Sequence, residues 1–561
     1  MRVLFVALGY EQLPVSLLSG ILRRAGHQVG LAYSRHLFDD RVVIYAPRLA
    51  RWFDDDDVLD QALRFRPDVV CFSALTVNYR WMIDVARRIK DACGCVTVFG
   101  GVHTSGAPDV VLEDPAVDYV CVGEGDLALP MLLDALRDGP LASTRRVLPN
   151  IRYRAADGSV VQGPQLGFIQ DLDSLPGFEK DLWVEHFPID SLYLTMSSRG
   201  CPYRCTFCFN NFFANLGGDE KPATNKYVRQ RSVGHFVAEL KEAKRRYGIR
   251  YVDILDDIFT LDAEWMREFA REYRREVGVP FKCLSHVHFL DEERVRSLKD
   301  AGCLWVQMGV QSADEEYKKG NLRRNEKNST VGRVLDLLHA AGISVKVDHM
   351  LGLPGETYVS QDKALAFYAE HPGVRRVSTF WLSYLPGTEV VQQGLREGTI
   401  SAAQVDEINH GSESFFHRET NVADPEVRRQ YLAYEFLFRV LPMMPMGLRN
   451  RLHREHVNWL PPSLLKHAGA LADVIDATVY GDPGIPHIFA RYSHGVKEHF
   501  RSRLGLRARG RGAYETGPLA DAGWDRLYAS GRVAAAALLA KQQSGPPHMH
   551  PIPSTSAKLM G

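Results

Sequence analysis

Long apolar runs are missing from the 561 residues of this chain. A membrane-spanning helix needs roughly 18 apolar residues in succession, and the longest Ala-rich stretch, Val533 to Ala540, falls well short of that. No membrane partner is expected. The opening Met1 to Leu8 is too short for a signal-peptide core and runs into Gly9-Tyr10-Glu11 without a small-residue cleavage site, so it reads as a first strand. An excess of one charge is missing too: 68 Lys and Arg stand against 68 Asp and Glu, a net charge of zero. That balance removes the global electrostatic argument for a nucleic-acid partner or an anionic membrane. Cysteine is sparse, at nine residues, an odd number with three crowded together. Such a pattern suits a reducing compartment and a metal site better than secreted disulfides, and a cytoplasmic protein is expected. The remainder, 45% hydrophobic and 24% charged, is ordinary globular composition. At roughly 150 residues per domain the length implies three to four domains.

From Arg2 to about Asp138 strands and helices alternate at short spacing, the pattern of a parallel sheet with crossover helices. Strands are expected at Val3 to Leu8, Val29 to Tyr33, Val69 to Ser73, Val96 to Phe99 and Tyr119 to Val122. Residues 1–145 therefore read as an α/β, doubly wound (Rossmann-like) domain, followed by a connector at 146–188 that carries an Asp157-Gly158 turn. A second alternation follows over 189–398, with six strands near Leu192, Ile249, Phe281, Leu304, Ile343 and Val377. Six such units suggest a partial barrel. Residues 399–541 read as a helical C-terminal domain and 542–561 as a disordered tail. The basic stretch Arg501 to Arg511 lacks interleaved aromatics and reads as a solvated loop, and Asp54 to Asp57 as a solvated helix start.

The sharpest chemical signal is Arg199-Gly200-Cys201-Pro202-Tyr203-Arg204-Cys205-Thr206-Phe207-Cys208, directly after an expected strand. Three thiolates at C-x3-C-x2-C spacing can hold three corners of a cubane iron-sulfur cluster and leave the fourth iron open to another ligand. A zinc site would want four ligands, and no partnering Cys or His pair stands at finger-like spacing nearby. Three merely buried cysteines are the bland alternative. Cys283 and Cys303 fall in expected strands and read as core residues, and His349 and Tyr384 as satisfied structural residues or barrel-mouth residues.

On these residues the chain resembles the radical S-adenosylmethionine (radical SAM) enzymes, over most of residues 190–390. The resemblance implies a partial (β/α)6 barrel, with Cys201, Cys205 and Cys208 on a 4Fe-4S cluster whose open iron chelates S-adenosylmethionine. It would set Phe207 against the adenine, and Gln311 and Ser312 of Gly309-Val310-Gln311-Ser312 against the ribose or methionine part. Where the family often has a Gly-Gly-Glu-like motif, Leu255-Asp256-Asp257-Ile258-Phe259 stands here, a variant of the cobalamin-binding subgroup that leaves the amino-group contact open. Asp348 to Thr357 and Tyr384 to Thr388 match the same subgroup, although a tight turn would also account for each.

The first domain is similar to the cobalamin-binding domain of that subgroup. Ligands of open α/β sheets bind past the C-terminal strand ends, where Ser73 and Thr76, Gly100, Gly101 and His103, and Gly123, Glu124 and Gly125 are found. Glycines there let the backbone approach a broad ligand. A dinucleotide-type G-x-G-x-x-G is absent from Gly9-Tyr10-Glu11-Gln12, which disfavours nicotinamide. Asp-x-His-x-x-Gly is absent as well, so no loop histidine is placed to ligate cobalt from below.

Taken together, the resemblance implies a class B methyltransferase-like enzyme. It would transfer a methyl group from methylcobalamin to an unactivated carbon of a small-molecule, secondary-metabolite substrate. Its cofactors would be a 4Fe-4S cluster, S-adenosylmethionine and cobalamin, served by an external one-electron reductant of flavodoxin or ferredoxin type. No individual side chain is assigned to catalysis. The alternatives are a cobalamin-dependent radical SAM oxidoreductase or cyclase without methyl transfer, and a non-catalytic cobalamin-binding sensor. A methylthiotransferase is disfavoured, because Cys71, Cys93, Cys95 and Cys121 do not form its second cysteine set.

Overall fold

Val3 to Ala7 are sealed from solvent, since the first strand is covered on both faces. A strand in that position reads as an unbroken apolar run. In this computed structural model, which describes residues 1–40, 44–53, 58–141, 145–216, 224–411, 424–481, 484–504 and 522–544, that strand is β1 (Arg2–Leu8) of a seven-stranded sheet. Strands β2 (Gln28–Ser34), β3 (Val69–Ser73), β4 (Val96–Gly100) and β5 (Tyr119–Cys121) lie parallel to it in the order β2-β1-β3-β4-β5. Helices α1 (Leu13–Arg24), α2 (Tyr79–Cys93) and α3 (Val102–Gly106) lie in crossovers between these strands, and α4 (Gly125–Arg137) follows β5. Chain direction across the sheet reverses between β1 and β3, and the loops beyond their C-terminal ends form a ligand crevice in such sheets.

The Asp157-Gly158 turn does more than connect. It closes a hairpin, β6 (Ile151–Arg154) and β7 (Val160–Gln162), which adds two antiparallel strands to the edge of the first sheet beside β5. Sequence reading set this stretch apart because its strands are short and separated from the parallel run by Pro140 to Pro149.

Six parallel strands follow: β8 (Tyr193–Thr195), β11 (Val252–Ile254), β12 (Phe281–Ser285), β13 (Cys303–Gln311), β14 (Ser344–Leu351) and β15 (Val374–Trp381), paired in that order. A small antiparallel ribbon, β9 (Ser198–Arg199) with β10 (Arg229–Gln230), stands between β8 and β11 in the chain. The first and last strands of the six do not pair with each other among the described residues, so the barrel is partial. On β13, Val306, Met308 and Val310 are fully buried in the main core, while Gln307 on the opposite face bonds Asp348 of β14 at 2.9 and 3.0 Å. Cys283 and Cys303 are core residues, as expected.

Helix α5 (Phe209–Leu216) leads away from the cysteine motif. Beyond the barrel the chain is helical. Asp424 caps α6 (Pro425–Val440), which packs on β15, and the indole of Trp381 donates to Glu435 at 3.0 Å. Two later helices return to the first domain: Arg491 of α7 (Gly484–Arg503) donates to the Gly9 carbonyl at 2.8 Å. Tyr528 of α8 (Ala522–Ser544) donates to Asp134 of α4 at 2.6 Å. Since α8 runs to Ser544, the tail expected from residue 542 starts three residues too early, and the rest of it lies outside the described residues. Asp54 to Asp57 and residues 505–511 of the basic stretch also lie outside them. No helix among the described residues is long and apolar enough to cross a membrane.

Candidate functional site

The cysteine loop is anchored at its root by a carboxylate. Asp256, just past β11 and fully buried, accepts from the Ser197 amide at 2.6 Å and from the hydroxyls of Ser197 and Ser198 at 2.5 and 2.7 Å. Burial pushes its carboxyl up to about 6, against the pull of those bonds. Two residues on, Gly200 has φ +86°, and a Cβ there would sit 2.4 Å from the Tyr227 carbonyl, so only glycine fits. Further along, the Thr206 hydroxyl bonds the Asn321 carbonyl at 2.9 Å, and the Thr206 carbonyl accepts from Val390 at 3.0 Å.

Burial raises the pKa of Cys201, Cys205 and Cys208, and the three lie near enough that Cys205 and Cys208 add to the shift at Cys201 and Cys205 to that at Cys208. Cys201 is pushed up to about 12 and Cys208 to about 11. Cys205 is also raised, but the Arg324 guanidinium beside it opposes the shift. No three His, Cys, Asp or Glu side chains among the described residues are already gathered for a metal ion. The fit to a cluster therefore rests on the donors: three thiols on one braced loop, and a soft ligand set of the kind that iron-sulfur clusters take.

Other expected residues surround the loop. Phe207 packs against the apolar cluster of Leu322, Met350, Leu353 and Tyr384. Gln311 ends β13 at a register shift with φ +66°, and the buried Ser312 hydroxyl accepts from the Asp314 amide at 3.2 Å. Asp257 stands where the amino-group contact was open. Its carboxylate accepts from Asn210 of α5 at 2.8 Å and lies close enough to Cys201 and Cys208 to raise both thiols. His349 and Tyr384 are structural: both His349 nitrogens are bonded, to Tyr368 at 3.0 Å and Gln361 at 2.9 Å, and the Tyr384 hydroxyl bonds Thr399 at 3.0 Å.

At the crevice edge the expected residues divide. Ser73 pairs by backbone with Gly100, and Tyr10, Leu75 and Val77 in the loops after β1 and β3 keep apolar surface exposed. An apolar lip of this kind beside glycines fits a broad flat ligand. At Gly101, with φ +96°, a Cβ would lie 2.7 Å from both the Ala74 amide and carbonyl, so the position has room only for glycine. His103 is fully buried, its ring packed at a tilt against Tyr79 with centroids 4.2 Å apart, and bonded to the Thr76 hydroxyl at 3.1 Å. Burial drives it down to about 4. The Gly123 amide donates to Ser105 at 3.0 Å, and Gly125 opens α4. The Glu124 carboxylate is taken up by Arg229 at 2.8 Å and Arg199 at 3.2 Å. Arg199, Arg229, Asp126 and Arg324 are the residues that sequence reasoning missed. Arg199 opens the quoted cysteine motif and Asp126 directly follows Gly125, yet no local pattern links residues 73 apart.

The arrangement is a doubly wound sheet joined to a partial parallel barrel, with three cysteines on the loop that follows the barrel's first strand. Residues 195–367 match the model of the Radical SAM superfamily and residues 3–133 that of the B12 binding domain. The chain belongs to the cobalamin-binding radical SAM enzymes, a class that works with a 4Fe-4S cluster, S-adenosylmethionine and cobalamin. It is similar to the cytidylyl-2-hydroxyethylphosphonate methyltransferase of Streptomyces wedmorensis, 24% identical over 68% of this chain and 77% of that protein. It is also similar to the anaerobic magnesium-protoporphyrin IX monomethyl ester cyclase of Rubrivivax gelatinosus, 25% identical over 56% of each. Among solved structures, the cobalamin-dependent S-adenosylmethionine radical enzyme OxsB shares the fold at a TM-score of 0.58 and 13% identity, over 95% of this chain and 84% of that one.

Proposed function

We propose that the chain is a cobalamin-dependent radical SAM methyltransferase that methylates an unactivated carbon of a small molecule. One observation carries the reading: the three-cysteine loop and the loop after β5 of the B12-binding domain are fastened to each other, Arg199, two residues before Cys201, to Asp126, next to Gly125. Held in the two sites, the cofactors would supply a 5′-deoxyadenosyl radical for hydrogen abstraction and a methyl group on cobalt.

The chain's part is to bind, orient and shield. Cys201, Cys205 and Cys208 would hold the cluster, with Asp256 keeping Ser197 and Ser198 fixed beneath them. Asp257 is the carboxylate suited to the amino group of S-adenosylmethionine, Phe207 the ring suited to its adenine, and Gln311 and Ser312 the edge of its ribose and methionine site. Tyr10, Ser73, Leu75 and Thr76 border the cobalamin crevice. A cavity of about 300 Å³ opens between the first domain and the barrel, lined by Gly106, Asn211, Phe212, Pro386, Val405 and Ile408. It joins α5, which follows the cysteines, to the segment after the barrel, and is the candidate substrate pocket. An external one-electron donor of flavodoxin or ferredoxin type belongs to this reading.

The test is stoichiometric. Each methylation should yield one S-adenosylhomocysteine and one 5′-deoxyadenosine, and deuterium at the reacting carbon should appear in the deoxyadenosine. The cyclase relative supports a second reading. Deoxyadenosine formed together with a product that has lost hydrogen without gaining a methyl group would favour it.

A further inference from the structure

Two carboxylates of the loop after β5, at the C-terminal edge of the first sheet, reach two arginines of the cysteine-loop ribbon. Asp126 receives Arg199 through both oxygens, at 2.9 and 3.0 Å, and Glu124 receives Arg229 in the same forked way, at 2.8 and 3.0 Å. Arg199 also approaches Glu124 at 3.2 Å. The arginines face each other across the ribbon β9–β10, where they are register partners. Arg229 is fixed further by the carbonyls of Tyr227 and Ile169 and by the Phe168 ring 4.8 Å away. Asp126 and Arg229 are 4% and 5% exposed.

Buried ion pairs are weak grounds for stability, because taking the charges out of water offsets most of their attraction. Their gain is geometric: a forked guanidinium–carboxylate bond fixes direction as well as distance. Two such forks side by side on one ribbon resist both sliding and rotation. At one end of the clamp Arg199 is followed by Gly200 and Cys201, and at the other Glu124 lies between Gly123 and Gly125.

We propose that Asp126 and Glu124 are positioning residues that set the distance between the corrin and the cluster, an inference that rests on the chain holding both cofactors. Methyl transfer to a substrate radical demands that the two reactive groups be aligned within about an ångström, and a loose joint between their loops would spoil that alignment.

Pulsed EPR of the loaded protein reads the distance directly, through the magnetic coupling between cob(II)alamin and the reduced cluster. Asp126→Asn keeps the shape and weakens the pair. The double variant Asp126→Leu with Arg199→Met removes the forked pair without stranding either partner. Both variants should load iron and cobalamin as the wild type does, while their interspin distance distribution becomes roughly twofold broader or shifts by about an ångström. Full loading with an unchanged distribution would overturn the clamp alone. Loss of iron or cobalamin in both variants would assign the Asp126–Arg199 pair to folding and overturn it too. A wild-type chain that takes up no cobalamin or no iron would overturn the functional reading, and this inference with it.

Discussion

The Arg324 guanidinium lies 3.8 Å from the sulfur of Cys205, within hydrogen-bonding reach of a thiolate. Its other nitrogens are committed to Glu326 at 2.6 Å and to the Gly309 carbonyl of β13 at 2.7 Å, so the fork is held in place. A buried N–H donor beside a cluster sulfur favours the more negative, reduced state. Replacing Arg324 by Met together with Glu326→Gln, so that no buried carboxylate is stranded, should lower the cluster's midpoint potential. A hydrogen bond to a charged group is worth roughly 1.5 kcal/mol, which for a one-electron couple is on the order of 60 mV. EPR-monitored redox titration measures this, and a midpoint that stays put would remove Arg324 from the account.

How much of this was legible beforehand follows from how far apart the interacting residues lie. The C-x3-C-x2-C motif is local, and the parallel strands announce themselves because each is buried on both faces, as at Val3 to Ala7. Arg324 stands 119 residues from Cys205, and Arg229 stands 105 from Glu124. Nothing in a charged side chain's own neighbourhood tells which distant partner will meet it. Glu124 was read as a cobalamin-loop residue because the glycines flanking it were conspicuous, and glycines report backbone shape, not what the intervening side chain binds. His349 and Glu356 stood in motifs of the subgroup, yet the structure gives both a place in one buried hydrogen-bonded chain.

Cluster assembly should depend on three cysteines and no others. Anaerobically reconstituted wild-type protein should carry about four irons per chain, and Cys201→Ala, Cys205→Ala and Cys208→Ala combined should reduce that to background. Cys303→Ala is the control, since that thiol is buried in the barrel core and donates to the Trp305 carbonyl at 3.3 Å. Iron retained in the triple variant, with the same EPR signal, would refute the assignment.

Cobalt should lack a protein imidazole. His103 is the histidine at the crevice edge, and its ring is buried between Tyr79 and Thr76. The cob(II)alamin EPR spectrum of the bound protein should therefore show no nitrogen splitting from a lower-face histidine, and His103→Ala should leave its pattern unaltered. Splitting that disappears in the variant would mean that the ring swings out to the metal.

Glu356 should make stability fall as pH rises. Its carboxyl accepts from the Gln361 amide at 2.7 Å, Gln361 in turn meets His349 at 2.9 Å, and Tyr431 of α6 also bonds the carboxyl. Burial pushes Glu356 from 4.5 up to about 8, whereas burial pushes His349 from 6.5 down to about 4. For Glu356 the folded state binds the proton more tightly than the unfolded one, so its contribution is complete below about pH 4.5 and is lost as pH rises through about 8. His349 works the other way, and its contribution, complete above about pH 6.5, is lost as pH falls through about 4. Above about pH 6.5 only the Glu356 effect of this pair is still changing. Glu356→Gln keeps an acceptor for Gln361 and removes the titration. At about 1.4 kcal/mol per pH unit below the folded pKa, wild type should lose about 2 kcal/mol relative to the Gln variant between about pH 6.5 and 9. Denaturant melts of both proteins across that interval measure the difference. A gap between them that does not change with pH would show that the carboxyl is already ionised in the folded protein.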